Sequence, residues 1–189
     1  LSKASTSTED YDSYFDIWAW NDLNQQSTTA SFGWRRYYHA IYIANYIIEN
    51  QNKITEATQD EISQLVGEAY MMRAYCHFLL VNLYADAYTH CNPATTRGIP
   101  LSLEANVNNV LTCSSVEQVY QQVIADIKEA KTRLKVAAWD EGYTYRFNQI
   151  SADALLARVY LYKGDWQDAL AEAKVVMEKH GDLEDLTDS

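Results

Sequence analysis

Trp18, Trp20, Asn21 and Asp22, with Asn24 just behind, put two flat aromatic faces beside amide and carboxylate groups and next to a polar linker. That mixture suits sugar recognition, where a ring lies against a C–H face and polar side chains hold the hydroxyls. The same residues also suit plain packing, with both tryptophans buried as core or oligomer aromatics, and residue type alone favours packing. Trp139, Tyr143 and Tyr145 make a second aromatic group, which reads first as a packed turn. Trp34 and Trp166 fall at helix-packing positions and read as structural.

Other chemistries are poorly served. His39, His77 and His180 sit on separate expected helices, and His90-Cys91 has no second pair at ligand spacing, so no metal site is expected. No HExxH, GxSxG or glycine-rich phosphate loop occurs, and no cofactor is expected. Carboxylates such as Asp140-Glu141 and Glu184-Asp185 lie in polar stretches, whereas acid–base work needs a closed cleft that perturbs them. The expectation is therefore a protein that is not an enzyme. Arg73 and Arg158 interrupt apolar helical runs, and each is expected to reach a carboxylate or a helix-end carbonyl. Three cysteines give no even disulfide framework: Cys76 reads as a small core residue, while Cys91 and Cys113 bracket a loop and have pairing as an open option.

The elements that must position these residues are helices. In 151–180, Ala152, Leu155, Val159 and Tyr162 share one face of a 3.6-residue period, as do Trp166, Ala169, Ala173, Val176 and Met177. Between them Gly164 can end one helix in the left-handed region and Asp165 can cap the next. This is a degenerate tetratricopeptide-type hairpin, with Leu156-Ala157-x-x-Tyr160 and Ala169-x-x-x-Ala173 in place of the consensus. One hairpin cannot bury its own apolar face, so stacked neighbours are expected.

They are found upstream. A loose aromatic face marks 10–24, and Trp34, Ile41, Ala44 and Ile48 mark 34–50. Thr58-x-x-Glu61 is a capping box opening the longest helix, with Leu65, Ala69, Met72, Cys76, Leu79, Leu80 and Leu83 as its stripe through about residue 86. Ser114 and Ser115 each start a capping box for a helix through Lys135, whose inner face is Val116, Val119, Tyr120, Val123, Ile127, Ala130 and Leu134. Asn148 caps the helix that follows. The expected architecture is all-α: six helices in three tetratricopeptide-like stacked hairpins, a single domain over 1–189, with a frayed lead-in at 1–9. One long irregular loop, 87–113, is too long to be an idle connection.

Composition agrees. Two prolines and six glycines in 189 residues suit long helices, and 48% hydrophobic residues exclude a disordered tail. A formal charge of −11 argues against nucleic acid as a partner. No apolar run is long enough to span a bilayer, and 1–10 lacks the apolar segment of a secretory signal. The two ends read as those of a fragment of something longer.

Five stretches, in order, resemble the N-terminal part of the SusD/RagB family of outer-membrane nutrient-binding lipoproteins. They are Trp34-x-x-x-Tyr38-x-x-Ile41-x-x-Ala44-Asn45, the run from Gly67 to Leu80, Gly98-Ile-Pro-Leu101, Ser115 to Ala130, and Ala154 to Trp166. They span 32–180. The family's usual Gly-Asp after the long helix is replaced by Ala85-Asp86 within Tyr84 to Tyr88, and its less regular C-terminal half has no counterpart. The resemblance implies a surface-exposed protein, lipid-anchored upstream of Leu1 in the outer membrane of a Bacteroidetes-type bacterium. It implies that the full-length protein binds oligosaccharide and passes it to a SusC-like TonB-dependent transporter, against which the helical repeats lean. The rival class is a tetratricopeptide adaptor gripping a peptide, from which the 87–113 loop and the Trp18–Trp20 pair set this chain apart.

Overall fold

A computed structural model describes residues 18–19 and 33–181. Backbone contacts divide the chain into two compact units, Leu1–Arg36 and Tyr37–Ser189. The described residues contain five α-helices: α1 (Trp34–Asn50), α2 (Gln59–Tyr84), α3 (Val116–Arg133), α4 (Gln149–Lys163) and α5 (Trp166–Lys179). The helix expected over 10–24 lies outside them, apart from Trp18 and Ala19.

The helix starts obey local chemistry. At α2, Thr58 accepts from the Glu61 amide while the Glu61 carboxylate accepts from the Thr58 amide. Of the two boxes available at α3, Ser115 with Gln118 is the one used. Asn148 caps α4 with Ser151 as its reciprocal partner. Each box satisfies amides that have no intrahelical acceptor. Gly164 ends α4 at φ 88°, as its lack of Cβ permits. Asp165 does not cap α5 with its side chain; its carboxylate instead takes the Lys163 ammonium at 2.7 Å, a stronger partner than an exposed amide.

Two antiparallel couples, α2 with α3 and α4 with α5, stack through the face between α3 and α4. All seven residues expected on the inner face of α3 are buried. On α2 the expected stripe is only half right. Ala69, Cys76 and Leu80 are buried, but Leu65, Met72 and Leu83 are exposed, and Val66, Met71, Ala74, Phe78 and Val81 are inside. The reason is position: α2 lies at the centre, covered on more than one side, so burial runs around it and no single period describes it. Gly67 sits where α2 nears the end of α3, and a Cβ there would stand 3.1 Å from the Leu134 side chain. The α5 stripe is also incomplete. Ala169 is buried, while Trp166 and Met177 remain 61% and 70% exposed. Trp166 is thus a surface ring and not a packing anchor.

The long loop is not irregular throughout. Inside it β1 (Arg97–Pro100) pairs antiparallel with β2 (Cys113–Ser115), which begins at the loop's last residue. Strand propensity there is overshadowed in the sequence by the neighbouring Pro93, Gly98 and Pro100, which read as loop signals. At Gly98 a Cβ would meet the Ser114 carbonyl oxygen at 2.9 Å, so the pairing needs a glycine. The loop also closes the start of α3: the Val116 and Glu117 amides donate to the Thr96 and Pro93 carbonyls.

Candidate ligand-binding site

The residues that hold polar groups inside this fold come first, because they fix what a ligand can meet. Arg73 on α2 is buried, and its guanidinium binds Asp126 of α3 through two hydrogen bonds, Nε to Oδ2 at 2.8 Å and Nη2 to Oδ1 at 2.6 Å. Its remaining nitrogen donates to Asn45 Oδ1 on α1 at 2.9 Å. Asn45 in turn donates to the Ser102 and Glu104 carbonyls, each at 3.1 Å. Tyr38 donates to the Pro100 carbonyl at 2.7 Å, and Glu49 accepts from the Ala105 amide at 2.8 Å. The segment after β1 is therefore clasped along α1. His77, fully buried one turn after Arg73, accepts from the Ser102 amide at 3.4 Å, and its Nδ1 has no partner. Burial, with the Arg73 charge adding to it, pulls the His77 imidazole down to about 3.

Arg73 thus makes the structural ion pair expected of it. Arg158 does not: it is exposed and pairs with no carboxylate among the described residues. Its place on α4 faces outward, away from the helices that could supply a partner. The buried charge on α4 is Asp153, bridged by Lys131 of α3 at 2.7 Å and Lys179 of α5 at 3.1 Å. All three cysteines are free thiols, and burial pushes the Cys76 thiol up to about 11.

One aromatic group is built for display. The segment from α3 to α4 is pinned to α2 by Gln64, whose buried amide accepts from the Lys135 and Val136 amides and donates to the Phe147 carbonyl. Glu68, one turn on, takes the Arg146 guanidinium through two bonds at 2.7 and 3.1 Å. Arg146 lies 4.0 Å from the centroid of the Trp139 ring, whose Nε1 donates to the Phe147 carbonyl. Two successive turns are closed by Tyr143 amide to Asp140 carbonyl and Arg146 amide to Tyr143 carbonyl, the first passing through Gly142 at φ 92°. They leave Tyr143 and Tyr145 52% and 78% exposed, in a row with Trp139 at centroid spacings of 6.3 and 6.5 Å. The packed-turn reading holds in part for Trp139, which is half-buried with Arg146 on its ring, and fails for the two tyrosines. Spacing in sequence could not separate them, because Trp139 is held by the Phe147 carbonyl and by Arg146, which Gln64 and Glu68 of α2 fix in turn.

Of the residues singled out for sugar contact, Trp18 is exposed, while Trp20, Asn21 and Asp22 lie outside the described residues. Among the described residues no group of three or more His, Cys, Asp or Glu side chains is arranged to hold a metal ion. A groove of about 280 Å³ runs between α1 and α2, lined by Ala40, Ile43, Ala44, Ile47, Leu65, Glu68, Ala69 and Met72. It explains the exposed leucine and methionine of α2. No helix among the described residues is long and apolar enough to cross a membrane.

Comparison with known proteins gives this geometry its family. A family model described as "Starch-binding associating with outer membrane" matches residues 2–161. SusD-like protein P38 of Formosa agariphila is 31% identical over 153 residues, covering 79% of this chain and 26% of that protein. A SusD superfamily protein from Bacteroides thetaiotaomicron, solved by crystallography, superposes with a TM-score of 0.74 at 27% identity, over 83% of this chain and 34% of the other. A laminarin-binding SusD-like protein superposes with a TM-score of 0.67 at 26% identity, over 79% and 30%. The chain spans about a quarter of the length of the curated relatives it matches. With helices stacked in hairpins, a clasped strand pair and a match along most of its length, the chain belongs to the SusD-like family.

Proposed function

We propose that this chain is the helical scaffold of a glycan-binding lipoprotein of the outer membrane, serving a polysaccharide-utilisation system without catalysing a reaction itself. The observation that carries the reading is the family match over residues 2–161, whose description joins starch binding to the outer membrane. The laminarin-binding neighbour adds a second glucan among similar folds. In this reading a lipid anchor upstream of Leu1 holds the protein at the cell surface, and the stacked hairpins lean on a SusC-like TonB-dependent transporter that receives the oligosaccharide. Trp18, Trp20, Asn21 and Asp22 supply candidate sugar contacts, and the rest of the whole protein supplies others.

The architecture suits a bracket. Buried charges are neutralised internally, Asp126 by Arg73 and Asp153 by two lysines, so the hairpins keep one geometry and present apolar edges outward. Detergent-solubilised outer membranes of a producing strain provide the test. Affinity capture of the tagged whole protein is expected to bring down one TonB-dependent transporter in comparable amount. Recovery of the protein from the soluble fraction, with no such transporter, contradicts the reading.

A further inference from the structure

We propose that Trp139, Tyr143 and Tyr145 form a binding subsite for a neutral oligosaccharide, on the helical scaffold itself and distinct from the Trp18–Asp22 group; this rests on the glycan-binding reading above. Three observations carry it.

The first is exposure with fixation. Tyr143 and Tyr145 stand in solvent, a costly position for rings, yet the turn that bears them is fastened at its base. Gln64 holds both ends of the 135–147 segment, and Glu68 holds Arg146 against Trp139. A loop that served only to connect α3 to α4 would not need this many bonds from α2. A ligand meeting rings already held in place loses less affinity to ordering them.

The second is ring geometry. Neighbouring planes are inclined at 42° and 37°. A flat ligand such as a nucleobase cannot lie on all three. A chain of pyranose units joined by rotatable linkages can follow the row one ring after another, offering a C–H face to each.

The third is charge. Asp140 and Glu141 stand in the chain between Trp139 and Tyr143, both exposed and with no ion pair among the described residues, so they are open acceptors for hydroxyl donors. Arg146, the cation packed on Trp139, is already committed to Glu68. A uronic-acid or sulfated chain would meet two carboxylates that have no ion-pair partner among the described residues, so the ligand is uncharged. A protein partner fits less well, since three rings bordered by carboxylates fall well short of the roughly 1,000 Å² that a specific protein interface buries.

Calorimetry on the whole protein that carries this chain tests the subsite with maltohexaose, laminarihexaose and xylohexaose, and with polygalacturonate as the anionic comparison. Tyr145→Ala and the double variant Tyr143→Ala/Tyr145→Ala are expected to weaken binding of the preferred neutral hexaose about tenfold, while Tyr145→Trp keeps it. Tyr145 is so exposed that its truncation leaves the fold intact, which circular dichroism verifies. If the unaltered protein binds a neutral hexaose and both alanine variants bind it equally well, the subsite is wrong and the glycan-binding reading survives. If the unaltered protein binds none of the hexaoses, the glycan-binding reading falls first and the subsite with it. Preference for polygalacturonate overturns the assignment to a neutral ligand.

Discussion

At the scale of single residues, the buried polar groups govern how the protein responds to substitution and to acid. Arg73 and Asp126 are enclosed together, so removing one charge strands the other. Asp126→Asn is expected to lose about 3–5 kcal/mol, lowering Tm by roughly 10 °C, with differential scanning calorimetry as the check. Replacing both with apolar residues of similar size should cost less than Asp126→Asn alone, because no unpaired charge remains. His77 sets a pH window. In the folded chain its imidazole stays neutral down to about 3, whereas in the unfolded chain it titrates near its ordinary 6.5. The unfolded state therefore binds the extra proton across that interval, and stability falls as pH drops through it. His77→Gln, which keeps an acceptor for the Ser102 amide, is expected to flatten the acid limb of a urea-midpoint series between pH 6.5 and pH 4. An unchanged slope would mean that carboxylates alone carry the acid sensitivity. Cys76, raised by burial, should resist a thiol reagent in the native state while Cys91 and Cys113 react, which counting modified thiols by mass spectrometry would verify.

At the scale of elements, capping chemistry was legible before any coordinates, because it is local. Thr58, Ser115, Asn148 and Gly164 each act where the sequence places them. Asp165 holds the N-cap position without the side-chain bond, because a lysine two residues back takes its carboxylate. The strand pair was missed for a different reason. It is three to four residues a side, too short for alternation to show, and depends on Gly98 lying against the Ser114 backbone sixteen residues away. Gly98→Ala is accordingly expected to destabilise the protein by about 1–3 kcal/mol, since backbone cannot step aside as a side-chain tip can. It should also speed hydrogen exchange in 96–105 before it touches α4 or α5, and uniform exchange would argue against a locally clasped loop. The period argument worked where a helix has one covered side, as on α3, and failed on α2, which is covered on several.

At the scale of the whole molecule, stacked couples of helices were readable from pattern, and so was the family, because its five motifs recur in order along the chain. The candidate sugar contacts were less readable. Whether an aromatic ring faces core or solvent depends on bonds between distant residues, as those of Gln64 and Glu68 to Phe147 and Arg146 do for the turn that carries Trp139, Tyr143 and Tyr145. In the proposed function the molecule is a rigid bracket that helps hold a glycan and leaves it chemically unchanged. Incubating the whole protein with maltohexaose, laminarihexaose and xylohexaose, while recording binding heat by calorimetry and chain length by mass spectrometry, tests that claim directly. Saturable binding of at least one of them, with every hexaose recovered at full length, is the predicted result. Shortened products, or no heat with any of the three, would contradict it.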